Sequence, residues 1–235
     1  MGLRIELLVT PSCPHAEATE DLLRSTLGDL ELDGDVTRTV VQSAADAERF
    51  DFPGSPTVRI DGEDLSGSEA GPAALACRTY EGAGAPPRWL LEARLLRALR
   101  PRHILFLCVA NSARSQMAEA LARRLAPEGF RISSAGSEPS RVNPFALEAL
   151  QEIGIDAADQ RSKGVDEIRQ AGGPAVDAVI TLCAEEVCPV WLGKAYRLHW
   201  ALPDPAAATG SDEEILDSFR GVRDELRRRL TPLLG

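Results

Sequence analysis

The sequence predicts an α/β protein of two consecutive domains, residues 1–100 and 101–235. Three observations carry that expectation. Short apolar or alternating runs recur along the chain, each followed by a longer stretch with apolar residues at helical spacing, the pattern of strands feeding helices. A polar break, Arg100-Pro101-Arg102, interrupts the pattern, and the proline stops the helix before it. After the break the alternation starts afresh. Such a pattern implies mostly parallel sheets with helices on both faces.

In the first domain, residues 4–9 alternate polar and apolar side chains and read as a strand, and 14–27 as an amphipathic helix. Residues 35–42 form a second strand and 44–50 a short helix. Gly54-Ser55-Pro56 turns into a third strand ending at Ile60, and Gly62 marks a hairpin into a brief fourth. Residues 67–87, rich in glycine and proline, read as irregular, and 86–99 as a strong helix with proline near its start. In the second domain the strands fall at 103–108, 130–134, 176–182 and 196–200. Its helices fall at 114–126, 143–153, 164–170 and 212–233.

An apolar content of 44% with 26% charged residues is enough for two cores. No apolar run approaches the ~20 residues of a membrane span. The first residues are interrupted by charges, unlike a signal peptide, so a cytoplasmic protein is expected. The net charge of −10 divides into −7 over residues 1–100 and −3 over 101–235. That balance argues against nucleic acid and anionic membranes as partners. It leaves room for an anionic substrate, because a local nest of amides overrides a distant field. The arginine-rich run 223–229 reads as the solvated face of the last helix. Five cysteines, an odd number, fit a disulfide framework poorly. The three histidines lack zinc-finger spacing. No metal or cofactor is therefore expected, and catalytic or redox thiols are the default.

The most informative stretch is Cys108-Val109-Ala110-Asn111-Ser112-Ala113-Arg114-Ser115. It joins a buried strand to a helix. Successive amides of residues 109–114 in such a loop nest a tetrahedral oxyanion at the helix N-terminus. The same field favours the thiolate of Cys108, and Arg114 can grip two oxygens in a fork. Two further features follow: Cys183 and Cys188 after a buried strand, and Asp204 in a proline-rich loop after another. Ligands gather outside the carboxyl ends of parallel strands, so all three can converge. Asp204 also suits a turn, while His199 and Trp200 read as packing residues.

Residues 103–235 resemble the thioredoxin-coupled arsenate reductases, which share the low-molecular-weight tyrosine phosphatase fold. The resemblance is carried by the Cys108–Ser115 loop with Gln116, Met117, Ala118 and Glu119, by Ser134-Ala135-Gly136, Thr181-Leu182-Cys183, Cys188-Pro189, His199-Trp200 and Asp204-Pro205. It implies that Cys108 attacks arsenate, with phosphate or sulfate as competing anions, while Arg114 and the loop amides hold the oxygens. Ser115 would hydrogen-bond the thiolate, Asn111 would brace the loop, and Asp204 would act as general acid. Cys183 would then displace arsenite, and Cys188 would pass the disulfide outward to thioredoxin or a low-molecular-weight thiol. The segment joining Cys183 to Cys188 is shorter than in the best-known members and would have to move. Some members bind potassium near the loop. Asn111, Glu119 and Ser134 match that site, but Lys163 stands where an acidic ligand belongs, and its ammonium can replace the cation. No metal is expected.

In the first domain, Thr10-Pro11-Ser12-Cys13-Pro14-His15-Ala16 lies between a strand and a helix. It resembles the active-site turn of thioredoxin with the second cysteine replaced by Ala16. Ser55-Pro56-Thr57 resembles the cis-proline segment of that fold. Cys77 is either a remote resolving thiol or a buried, inert one. Cys13 either recycles the Cys183–Cys188 disulfide or belongs to a docking module. Two other functions compete with arsenate reduction. One is phosphate-ester hydrolysis by Cys108, Arg114 and Asp204, which has no use for Cys183 and Cys188; the other is a non-catalytic thiol sensor.

Overall fold

The first strand, β1 (Leu3–Val9), buries Leu3, Ile5 and Leu7 and exposes Arg4 and Glu6, as alternation requires. Leu8 is also buried, because Val41, Ala47 and Phe52 cover the other face of the sheet. The computed structural model describes residues 2–67, 71–172, 175–184 and 191–235, and they divide into two units, 1–99 and 100–235.

In the first unit β2 (Gly34–Val40) runs parallel to β1, whereas β3 (Thr57–Ile60) runs antiparallel to it and pairs with the short β4 (Glu63–Asp64), in the order β2-β1-β3-β4. The mostly parallel sheet expected here is thus a mixed one. The chain after β2 returns with β3 against β1, and a tight turn then adds β4. Asp61 and Gly62 both take positive φ, 52° and 90°, which reverses the chain in a two-residue hairpin. Helices α1 (Ala16–Asp29) and α3 (Arg88–Ala98) pack on each other, and α2 (Ala44–Arg49) opens with a capping box from Ser43 and Asp46.

The irregular stretch after β4 is nevertheless anchored. The Arg78 guanidinium is buried and donates to Asp64 at 2.6 and 2.7 Å, to Thr57 Oγ1 at 3.1 Å and to Ser66 Oγ at 2.7 Å. Tyr80 donates its hydroxyl to the carbonyl of Pro56 at 3.1 Å. The Ser55–Pro56 peptide is cis.

In the second unit β5 (His103–Cys108) is buried along its whole length, at the middle of an all-parallel sheet ordered β6-β5-β7-β8. Its neighbours are β6 (Arg131–Gly136), β7 (Ala178–Cys183) and β8 (Tyr196–Leu202). Leu105 and Leu107 cluster with Ala135, Val176, Val179 and Trp191 on one face, where Val165 and Ile168 of α6 (Val165–Gln170) cover them. Alternation sends Ile104 and Phe106 to the other face, towards α4 (Arg114–Leu125), α5 (Pro144–Gln151) and α7 (Asp212–Leu234), which pack on one another. Fully burying each Leu, Ile or Phe in such a layer contributes about 1.5–3 kcal/mol.

One surface expectation fails. Arg223 is not solvated: it donates to the Ala149 carbonyl near the end of α5 at 2.8 Å and to Glu152 at 3.0 Å. Carbonyls exposed at a helix C-terminus attract cations, which pulls this arginine inward. Among the described residues no helix is long and apolar enough to cross a membrane.

Candidate active site

Cys108 ends the central strand β5, 2% exposed, and the chain then loops through residues 109–113 into α4. The carbonyls of residues 109, 110 and 112 are directed outward. Val109 O accepts from Glu138 N at 3.0 Å, Ala110 O from Ser140 N and Ser162 Oγ at 3.0 Å each, and Ser112 O from Asn143 N at 2.9 Å. In a trans peptide the N–H lies opposite the C=O, so the amides of Ala110, Asn111 and Ala113 face the other way. Ala113, the N-cap of α4, makes no side-chain cap bond to the helix. The loop therefore runs straight into the partially positive N-terminal end of that helix.

Asn111 holds this shape. It is fully buried with φ 45°, a conformation that asparagine tolerates better than most residues. Its Nδ2 donates to Ser115 Oγ and to Ser134 Oγ at 2.8 Å each, and its Oδ1 accepts from Lys163 N at 2.7 Å and Gln116 Nε2 at 3.0 Å. Ser115 Oγ lies 2.9 Å from Cys108 Sγ. Because that hydroxyl already accepts from Asn111, its proton is available to the sulfur.

Behind Asn111 the network reaches a charge. Ser134 donates to Glu119, a fully buried carboxylate that also pairs with Arg123 and, at 3.1 Å, with Lys163 Nζ. The ammonium of Lys163 thus sits against the acid that the resemblance would pair with a cation.

Gly136 is the floor of the loop. A Cβ there would stand 2.2 Å from Val109 O and 2.8 Å from Asn111 N, so no larger residue fits.

Arg114 is buried at the start of α4. Its Nη1 donates to Leu202 O at 3.2 Å, and its Nη2 stands 3.6 Å from Asp204 Oδ1. Asp204 does two things at once: it caps the short 3-10 turn Pro205–Ala207 by accepting from Ala206 N at 3.2 Å, and it stays at the rim beside the arginine.

Cys183 ends β7, next to β5 in the sheet, and is 1% exposed. Leu107 pairs with Thr181, so Cys108 and Cys183 are neighbours one residue out of register, with Cα atoms roughly 6 Å apart by strand geometry. A regular pleat would send their side chains to opposite faces. Cys188 lies within 185–190, outside the described residues. His199 is exposed, its Nδ1 2.8 Å from Thr181 Oγ1, whereas Trp200 is a core residue; the packing expectation thus fails for the histidine.

The structure therefore brings Cys108, residues 109–113, Arg114, Ser115, Cys183 and Asp204 to the carboxyl edge of one sheet. Cys13 and Cys77 belong to the other unit. Sequence reasoning missed Gln116 as a brace of the loop, along with Ser162 and the Leu202 carbonyl. Their partners lie 5, 52 and 88 positions away respectively, and only the first separation has a local signal, a polar side chain in the first turn of the helix.

A buried thiol under an amide-lined loop, with an arginine and a carboxylate at its rim, defines a thiol-dependent oxyanion enzyme on a parallel α/β sheet. Residues 103–235 match the family model of the low molecular weight phosphotyrosine protein phosphatases, and the chain belongs to that family. It is 45% identical over 130 residues to an arsenate reductase of Halalkalibacterium halodurans, covering 54% of this chain and 91% of that protein. It is 41% identical over 131 residues to an arsenate reductase of Bacillus subtilis, with the same shares covered. An arsenate reductase structure from Archaeoglobus fulgidus matches at 30% identity and a TM-score of 0.47, covering 55% of this chain and 97% of that one. A thioredoxin-dependent arsenate reductase from Corynebacterium glutamicum matches at 32% identity and a TM-score of 0.39, covering 61% and 72%.

Proposed function

We propose that the second unit reduces arsenate to arsenite through Cys108, Cys183 and Cys188. The observation that carries this reading is the pairing of the Cys108–Arg114 loop with a second cysteine at the end of the adjacent strand. The loop amides of residues 109–113 and Arg114 hold three oxygens of the anion. The Cys108 thiolate forms a bond to arsenic, and one oxygen leaves as water with a proton from Asp204. Cys183 then attacks Cys108 Sγ. The sulfur–arsenic bond breaks, its electron pair stays on arsenic, and arsenite leaves as a Cys108–Cys183 disulfide forms. Cys188 attacks Cys183, freeing Cys108, and an external dithiol, thioredoxin or a low-molecular-weight thiol, reduces the resulting Cys183–Cys188 pair. Sulfur–sulfur contact requires the end of β7 to turn, given the pleat.

Lys163 supplies a tethered positive charge to Glu119, so the loop needs no resident metal. Phosphate and sulfate compete with arsenate because the nest reads tetrahedral oxygens, not the central atom.

The first unit is thioredoxin-like on this reading. Its strand order and directions, the cysteine between β1 and α1, and a Ser55–Pro56 turn tied to Thr10 support that assignment. The boundary between the two functions falls at residues 100–101.

Arsenate turnover with a dithiol reductant tests the relay. Cys108→Ser, Cys183→Ser and Cys188→Ser should each abolish multiple turnover, and sustained cycling by Cys183→Ser would sink it. Release of phosphate from a phosphomonoester by the Cys183→Ser protein at the wild-type arsenate rate would instead identify a hydrolase.

A further inference from the structure

We propose that Cys13 and Cys77 form a second redox site in the first unit, a two-thiol couple that exchanges with small exposed disulfides. The proposal does not depend on arsenate chemistry. Cys13 is half-buried in the loop between β1 and α1, and Cys77 is exposed, which removes its inert, buried reading. Neither carries a disulfide. Ala16, at the position where a neighbouring thiol would act, is buried and has no sulfur. Cys77 is the one other cysteine in residues 1–100.

The fold brings the two cysteines towards each other although 64 positions separate them in sequence. Ser55 N donates to Ala76 O at 2.8 Å and Arg78 N to Ser55 O at 2.9 Å, which fixes Cys77 beside Ser55 in a parallel bridge. Ser55 Oγ in turn accepts from Thr10 N at 3.0 Å, and Thr10 O accepts from Cys13 N at 3.2 Å. A second contact fixes the far end of the same strap. A Cβ on Gly84 would stand 2.1 Å from His15 Nε2, so the Gly84 backbone lies against the imidazole two residues after Cys13. Between these points Tyr80 and Ala83 close a turn through mutual backbone bonds of 2.7 and 2.9 Å. The strap of residues 77–84 is therefore linked to the Cys13 loop through Ser55 at one end and lies against His15 at the other, and Arg78 pins it to the sheet through Asp64.

The Cys13 thiolate attacks one sulfur of a disulfide RS–SR. That S–S bond breaks, one RS⁻ leaves and takes up a proton, and a Cys13–SR mixed disulfide remains. Cys77, as thiolate, attacks Cys13 Sγ, displaces the second RS⁻, which is also protonated, and forms Cys13–Cys77. Two protein thiols are oxidised and one external disulfide is reduced. An external dithiol reverses the sequence.

Oxidised glutathione is the probe. Full-length protein is treated with it, quenched in acid and digested with trypsin, which releases Cys13 in the fragment Ile5–Arg24 and Cys77 in Ile60–Arg78. Mass spectrometry should find these fragments disulfide-linked. In Cys77→Ser, an exposed substitution, Cys13–glutathione should accumulate to at least about tenfold the wild-type level, because the local resolving thiol is gone. Equal Cys13–glutathione in both proteins, a Cys13 that takes up no glutathione in either, or a Cys77 linked to a cysteine of residues 108–188 would each overturn the proposal.

Discussion

Both units place a cysteine between the first strand of a sheet and the helix that follows, yet the two loops are built differently. The Cys108 loop directs its carbonyls outward to residues 138–143 and 162, is braced by the buried Asn111, and ends in a buried arginine. The Cys13 loop has an imidazole after it, no arginine in the loop, and a second chain segment lying across it. One surrounds its sulfur with amides and a guanidinium and so suits an oxyanion. The other leaves Cys13 half-buried, with Cys77 paired to the neighbouring Ser55, and so suits the disulfide exchange proposed above. The same supersecondary layout serves either chemistry; what differs is where the loop's polar groups are directed.

The comparison breaks most decisively at the sulfurs. Cys108→Ser should lower arsenate turnover by at least about a thousandfold, whereas Cys13→Ser should leave single-turnover arsenite release unchanged. A large single-turnover loss in Cys13→Ser would merge the two sites. Next in size is Arg114→Lys, which keeps the charge and loses the fork; kcat/KM for arsenate should fall roughly a hundredfold. Gly136→Ala forces a methyl group into Val109 O and should cost about 1–3 kcal/mol in urea unfolding, with loss of protection by phosphate. Lys163→Met leaves the buried Glu119 with Arg123 as its remaining cationic partner. A destabilisation of about 1–2 kcal/mol is expected, read by thermal unfolding at fixed salt.

The smallest effect separates the units by pH. Burial pushes Tyr80 in the first unit up to about 12, from 10.0. Its folded form therefore holds the proton longer than the unfolded chain, and this contribution to stability, present below pH 10, is lost as pH rises towards 12. In the second unit, Arg220 and then Arg223 hold the Glu152 carboxyl below its ordinary 4.5. That contribution, present above pH 4.5, is lost as pH falls through the lowered value. Hydrogen exchange should thus open residues 2–99 first in alkali and loosen the α5–α7 contact first in acid.

Much of this was legible in the sequence because it is local. Strand and helix periods, the proline break at 101 and the Cys108–Arg114 spacing all depend on residues within a few positions of one another. The mixed sheet of the first unit was less legible: the hairpin at Gly62 shows in the sequence, but β3 runs against β1, and nothing within that strand states its direction. Arg223 was misread for a related reason: its charge suggests solvent, but a carbonyl 74 positions away takes it.

By itself the sequence singled out the side chains proposed to carry the chemistry: a thiol, an arginine, a serine and a carboxylate, in the order a strand–loop–helix unit and its neighbours can use. The tertiary structure alone decided their surroundings. It set Gly136 beneath the loop, Lys163 against Glu119, the Cys183 strand beside the Cys108 strand, and Cys77 beside Ser55. Backbone amides and carbonyls are the same in every residue, so no sequence pattern states where they point. That direction is set when distant segments take up the carbonyls, and it is what turns a reactive cysteine into a site.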